Sequence, residues 1–386
     1  MKTLIELYDE RPIENVLATE VFRPERTVFL CPPEVAQNKR AKSALIRYFK
    51  HCGLSNEAVF LESSLYYADK VAAQLRTVCE DYPDPVVDIT GGTDAALFAC
   101  GIVCAEQNVP AFTYSRKRNC FFAIHGRPFE GDLPCAVRHT VEDCFLMAGG
   151  ELRTGRVDNS VLSRYESSFG GFFDLYLKYR ADWTKAVSYI QHASQKGGNF
   201  VRAGRSIKGD RGVTLQAPEA LLRELTALGF LSELKLTKNE VSFRFKDAQV
   251  RAWLRDIGSV LELYVWKECK DTGLFCDVRT SAVVDWEGQS AKDAVTNEID
   301  VMCMQGIMPV FIICKTGAVT TEALNELAIL RDRFGGKGAR AAIVTTRSCR
   351  TVTRNRAAEL DINVIDLSDL RGGKLQSRVT ALLQAE

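Results

Sequence analysis

Asn297-Glu298-Ile299-Asp300-Val301-Met302 is followed by Pro309-Val310-Phe311-Ile312-Ile313-Cys314-Lys315-Thr316, with Gln305-Gly306 between them. The interval from Asp300 to Lys315 suits two adjacent strands joined by a short turn. An acidic residue on one strand and a lysine on its neighbour then converge at a common edge. A divalent metal there would bind Asp300, orient a water and neutralise a phosphate. Lys315 would position the nucleophile or stabilise developing charge. A lysine ending an apolar strand is also commonly a solvated strand end, and Lys315 alone does not decide between the two. Glu262 shifts the balance, because it lies in Val260-Leu261-Glu262-Leu263-Tyr264-Val265, where a solvated glutamate is unexpected.

Outward from this stretch the chain alternates strands and helices again. Ala252–Thr272 reads as a long helix and Leu274–Val284 as an extended segment. Glu298–Met304 and Pro309–Lys315 are strands, Thr321–Arg333 is a helix, and Ala341–Thr345 and Asp361–Ile365 are strands. Residues 151–250 differ in character. Phe172–Gln195 looks helical, and Pro218–Leu228 is an amphipathic helix closed by Gly229. Leu234–Phe245 then alternates around Lys238-Asn239-Glu240 as a hairpin does. Helix followed by hairpin is winged-helix-like, and serves as readily for a connector or dimer support as for nucleic-acid contact.

The first 150 residues read as a parallel sheet flanked by helices. The strands are Thr3–Tyr8, Thr27–Cys31, Ala58–Leu61, Pro85–Thr90, Ala111–Tyr114 and Cys120–Ile124; the helices are Lys42–Cys52, Ser64–Asp81 and Asp94–Glu106. In Val86-Val87-Asp88-Ile89-Thr90-Gly91-Gly92-Thr93-Asp94 a buried strand delivers a glycine turn onto a helix N-terminus. Unpaired N–H groups and the helix dipole favour an anion there, and glycines let a phosphate come close. The bland reading is a tight turn in which Thr90 or Thr93 caps the helix. No GxGxxG is present and no GK[ST] follows, which argues against a dinucleotide fold or a Walker loop.

Fifty basic residues balance 49 acidic ones for a net charge of +1, so any polyanion contact is local to one cleft or face. The N-terminus has no signal-peptide apolar region and no run is long enough to span a bilayer, so a cytoplasmic protein with no membrane partner is expected. Thirteen cysteines without a CxxC pair read as reduced, mostly buried thiols, Cys100 and Cys104 among them. The four histidines show no zinc spacing.

Asp88, Thr90, Gly91, Gly92 and Thr93 match the D-x-[ST]-G-G-[TS] turn of CARF domains, the cyclic-oligoadenylate sensors of type III CRISPR defence, which the first 130 or so residues resemble. The C-terminal stretch resembles the PD-(D/E)xK nuclease domain of CARF-containing effectors. It does so in Gly258 to Glu262, in Asn297 to Val301, in Phe311 to Thr316 and in the Arg333-Phe334-Gly335-Gly336 turn. The order helix, acidic strand, lysine strand, helix is that of the restriction-endonuclease-like core.

The resemblance implies an α/β chain in three parts. These are a Rossmann-like CARF domain (1–150), a winged-helix-like connector (151–250) and a restriction-endonuclease-like α/β domain (251–386). It implies a ligand site formed by Asp9, Arg11 and Asn15 in the loop after the first strand, with Thr90, Gly91, Gly92 and Thr93. Catalysis falls to Asp300, Lys315, Glu298 and Glu262, with Asp300, Glu298 and the backbone carbonyl of Ile313 on a manganese or magnesium ion. Ile313 stands where the family pattern has an acid, and Glu298 or Glu322 is the candidate substitute. The activator implied is cyclic tetra-adenylate or cyclic hexa-adenylate, the substrate single-stranded RNA or DNA, and the assembly a homodimer. The alternative function is a ligand-responsive nucleic-acid-binding regulator with a degenerate, inactive nuclease fold.

Overall fold

The strand Thr3–Leu7 (β1) is wholly buried and pairs in parallel with Arg26–Cys31 (β2) on one side and Pro85–Asp88 (β4) on the other. Glu57–Glu62 (β3) extends the β2 edge, and Ala111–Ser115 (β5), Cys120–His125 (β6) and Leu133–Pro134 (β7) extend the β4 edge. The order β3-β2-β1-β4-β5-β6-β7 is doubly wound, with its switch point between β1 and β4. A crevice at the C-terminal ends of those two strands is where such sheets bind ligands. The expected parallel sheet is corrected at one edge: β6 runs antiparallel to both its neighbours, β5 and β7. The link from Ser115 to Cys120 is too short for a crossover. This chain is described from a computed structural model over residues 1–153, 155–288, 295–336 and 338–384.

The second large sheet has the order β18-β17-β16-β15-β14-β8. Its members are Glu151–Arg153 (β8), Asp277–Asp285 (β14), Thr296–Gln305 (β15), Met308–Lys315 (β16), Arg340–Thr345 (β17) and Asn363–Ile365 (β18). The uninterrupted apolar reading of β16 has a plain cause, since both of its faces are covered. Val310, Ile312 and Cys314 enter one core, and Phe311 and Ile313 enter the other.

Between the sheets lie the hairpin Leu231–Leu236 (β12) and Glu240–Phe245 (β13), joined by Phe200–Gly204 (β9) into a three-stranded sheet beside the helix Glu219–Ala227. Ser206–Lys208 (β10) and Thr214–Gln216 (β11) form a small ribbon. The expected boundaries at 150 and 250 are crossed by the packing. β8 is the edge strand of the C-terminal sheet, paired with β14. One hydrophobic core runs from Val157 through Leu222 and Phe243 to Val301 and Leu382.

Three expected helices end elsewhere. Phe172–Gln195 is two helices, Glu166–Tyr179 and Trp183–Ala193, because the chain turns to set Trp183 against Phe172 and Tyr176. Ala252–Thr272 is also two, Ala248–Leu254 and Ser259–Asp271. Asp256 breaks it by accepting the N–H groups of Gly258 (3.0 Å) and Ser259 (2.7 Å) and so starting the second helix. Thr321–Leu330 passes into a π-helical turn, Arg331–Gly335, whose Phe334 is buried against Phe145 and Trp286. Gly335 fits that turn because a Cβ would stand 2.8 Å from the Phe311 ring.

Candidate functional site

Asp300 sits where its strand pair changes face. Thr280 pairs with Val301 and Ala282 with Ile299, while Ser281, at φ +54°, and Asp300 stay out of the ladder. On one side of this point Val301 and Cys303 enter the first core, and Met302 and Met304 the second; beyond it Ile299, an odd-numbered residue, joins the second. The β15–β16 ladder runs from Gln305–Met308 to Val301–Ile312 and stops there. At the opening the Cys314 N–H donates to Asp300 Oδ2 (2.6 Å), and Thr280 Oγ1 donates to the Asp300 carbonyl (2.8 Å).

Glu262 comes to the same place from the first turn of Ser259–Asp271 and is only 4% exposed. Gly258 makes room for it, since a Cβ there would lie 3.0 Å from Glu262 Oε1. Burial and the neighbouring Asp300 charge push Glu262 up to about 8, against the pull of Arg156. Burial raises Asp300 to about 6, opposed by the Cys314 N–H and by Lys315. Both carboxyls are held as a cation-deficient pair. Glu262 Oε2 is buried with no hydrogen-bond partner.

The structure therefore brings Glu262, Asp300, Lys315 and Glu298 into one electrostatic group. Glu298 is engaged already: Ser281 Oγ donates to it, and Arg156 Nε lies 3.1 Å from its Oε1. Ile313 turns its side chain into the opposite core, 4% exposed. Glu322 is exposed on the first turn of Thr321–Leu330. Among the described residues no group of three or more His, Cys, Asp or Glu is arranged to hold a metal. The donors present still fit a hard divalent cation, because buried Glu262 and half-buried Asp300 interact and one Glu262 oxygen is unsatisfied. Arg156 and Asp256 were missed in the sequence. A lone arginine between strands carries no signal, whereas Asp256-Ile257-Gly258-Ser259 is legible as a helix start.

In the N-terminal sheet the loop after β1 and the turn after β4 are stitched together at the switch point. Gly92 N–H donates to Asp9 Oδ2 (3.0 Å), Arg11 Nε donates to Asp9 Oδ1 (2.6 Å), and Asn15 exchanges bonds with the Asp9 backbone. Burial raises the Asp9 carboxyl, but the bonds from Arg11 and Gly92 outweigh it and leave its pKa lowered. A Cβ on Gly91 would lie 3.0 Å from Asp9 Cβ; on Gly92, at φ +97°, it would lie 2.8 Å from Leu7. The threonines face inward. Thr90 Oγ1 donates to Asp88 (2.5 Å) and accepts from Tyr114 N–H (2.8 Å), while Thr93 caps its helix through Ala96 N–H (3.2 Å). Beneath them Asp88 lies beside Glu6 in the ladder, and burial pushes Asp88 up to about 7 and Glu6 well above its usual range. Glu14 is buried between Arg116 (2.9 Å) and Arg11 (3.6 Å).

Packing contacts run between the two sites. Gly336, which caps the π-turn, lies against Arg11 and Pro12, with an ideal Cβ 3.6 and 3.7 Å from their side chains. Cys144 and Phe145, on the helix Val141–Met147, pack on Phe334 of the same turn.

The thirteen cysteines are free, and Cys100 and Cys104 are core residues. Among the described residues no helix is long and apolar enough to cross a membrane.

Residues 248–382 match the family model described as the Card1-like endonuclease domain. The fold is similar to that of protein VC1899 from Vibrio cholerae, at 17% identity, covering 99% of this chain and 98% of that one, with a TM-score of 0.76. It is similar also to Can2 from Sulfobacillus thermosulfidooxidans, whose structure is a complex with cyclic tetra-adenylate. There the identity is 16%, the coverage 100% and 98%, and the TM-score 0.69. At such identities the likeness is one of fold, a Rossmann-like sheet followed by a second α/β unit. No curated protein matches the sequence.

Proposed function

We propose that this protein is a nuclease of type III CRISPR defence, switched on by a cyclic oligoadenylate bound at the N-terminal glycine turn. The observation that carries the reading is the meeting of buried Glu262 with half-buried Asp300 beside Lys315 at the open end of β15 and β16. It lies inside the stretch that matches the Card1-like endonuclease domain. The turn after β4 stands at a switch point where the Gly92 N–H already holds a carboxylate, that of Asp9, as it would hold an anionic ligand. The Can2 complex supports cyclic tetra-adenylate as the activator to try first.

In the cleavage step a divalent ion, manganese or magnesium, would when bound supply a polarised water and neutralise phosphate charge. Glu262, Asp300 and the Ile313 carbonyl would hold it. Lys315 would meet the charge that develops on the attacked phosphate. The substrate would be single-stranded RNA or DNA. The protein would act as a homodimer, in which a ligand of rotational symmetry spans two copies of the turn. Asp9, Arg11, Asn15 and the 90–93 turn would contact the ligand, which acts through its differential affinity for two arrangements of the chain.

The test is cleavage of labelled single-stranded RNA and DNA with manganese, with and without cyclic tetra-adenylate. Cutting that appears only with activator is expected. Ile313, standing where the family pattern has an acid, favours the regulator reading; binding of the cyclic nucleotide without any cutting would establish it.

A further inference from the structure

Arg156 stands on the segment that leaves β8, with its backbone N–H donated to Ser281 Oγ (2.9 Å). The residue before it lies flat on β14: a Cβ on Gly155 would stand 1.9 Å from the Ser281 carbonyl oxygen. That close approach delivers the guanidinium to one place. Its nitrogens lie 3.1 Å from Glu298, 3.3 Å from Asp256 and 3.6 Å from Glu262. The Arg156 side chain is 52% exposed and that of Glu262 only 6%, so the cation sits at the mouth with the carboxyl behind it. The unpartnered Glu262 Oε2 shows that the guanidinium leaves the buried end of the cluster unsatisfied.

We propose that Arg156 is a resident counter-cation that competes with the divalent ion for this cluster, and that activator binding in the N-terminal domain withdraws it. The inference rests on the metal-dependent nuclease reading. Two positive charges sharing the same carboxyls repel, so metal entry and the seated guanidinium oppose each other. Because the guanidinium is half in water, it can leave without being stranded in a low-dielectric interior.

The route from the sensor is short and continuous. Arg11 and Pro12 lie on Gly336, and Phe334 of the same turn packs on Phe145. The helix bearing Phe145 leads within a few residues into β8 and then to Arg156. A rearrangement of the Asp9–Arg11 loop therefore acts on the segment that carries the guanidinium. Linkage requires the converse too: metal and activator must strengthen each other's binding equally.

The experiment is a manganese titration of the full-length protein by calorimetry, without nucleic acid, with and without cyclic tetra-adenylate. Arg156→Gln is expected to bind manganese at least tenfold more tightly than the natural protein. Cyclic tetra-adenylate should tighten manganese binding in the natural protein and leave the Gln variant unchanged. Arg156→Lys, which keeps the charge on a shorter reach, should gain two- to fivefold and serves if the Gln variant fails to fold. Unchanged or weaker manganese binding in folded Arg156 variants would overturn the proposal, as would activator binding that leaves manganese affinity unmoved. The Glu262→Gln/Asp300→Asn double variant separates the two ideas. If it alone loses manganese, the metal site stands and the counter-cation role fails; if it binds like the natural protein, the site reading fails and the inference with it.

Discussion

At the end of β4 the Gly92 N–H is donated to the carboxylate of Asp9, 83 residues away in the chain. Beside β15 the carboxylates of Glu298, Asp256 and Glu262 are gathered around the guanidinium of Arg156. The first site offers N–H groups and suits an anionic guest; the second offers carboxyls and suits a cationic one. Each holds a side chain of the guest's own sign, carried by a nearby loop or linking segment. Beneath, the two are alike in one respect. Under the glycine turn Asp88 is answered by Thr90 and one oxygen of Glu14 by Arg116 and Arg11, while Glu6 Oε1 and Glu14 Oε2 have no hydrogen-bond partner. Behind Arg156, Glu262 Oε2 likewise has nothing to bond. What separates the sites is therefore the sign of the groups that face the opening, N–H donors at one and carboxylates at the other.

The comparison breaks most visibly if the C-terminal cluster is inert. Asp300→Asn or Lys315→Ala is expected to lower activator-dependent cleavage about 1,000-fold, as loss of a charge-stabilising group does. Binding of cyclic tetra-adenylate, followed by calorimetry, should be unchanged. Equal loss of both would mean that the substitutions disturb the whole fold.

Buried acids under the turn should make its stability fall with pH. The Asp88 pKa in the folded chain, about 7, lies above its ordinary value of 3.8. Its stabilising contribution is then fully present below about 3.8 and lost as pH rises through about 7. Asp88→Asn keeps an acceptor for Thr90 and should flatten that part of the slope. Urea unfolding of the two proteins between pH 4.5 and pH 7.5 measures the difference, and parallel curves would mean that Asp88 stays ionised.

Gly92→Ala sharpens the contrast between shape and charge. The φ of +97° and the 2.8 Å approach to Leu7 are expected to cost about 1–3 kcal/mol in thermal unfolding. Activator binding should weaken while manganese binding by the C-terminal cluster persists. The smallest effect is expected from Thr93→Ala, about 1 kcal/mol from the lost helix cap. A collapse of activator affinity in that variant, with stability intact, would show that Thr93 contacts the ligand as well as capping its helix.

The sequence made the strands legible because burial leaves its mark locally. Pro309–Lys315 reads as apolar throughout and is covered on both faces. The odd glutamate at 262 was legible for the same reason, as a polar residue inside an apolar run. The helix break at Arg180 was not, because it depends on Trp183 packing back onto Phe172 and Tyr176, and the start signal at Asp256 was masked by the good helical pattern on either side of it. The inward turn of Thr90 and Thr93 was foreseen only as the bland alternative, since a hydroxyl's partner is a tertiary fact.

By itself the sequence determined two α/β units, the glycine turn after β4, and the acid–lysine pair of β15 and β16. Periodicity, turn chemistry and glycine are local properties of the backbone. Only the tertiary structure decided that β15 switches faces at Asp300, that Glu262 is left with an unsatisfied oxygen, and that Arg156 is the cation at their mouth. Those outcomes depend on which charges meet across long sequence separations and low-dielectric space, and no local pattern encodes that.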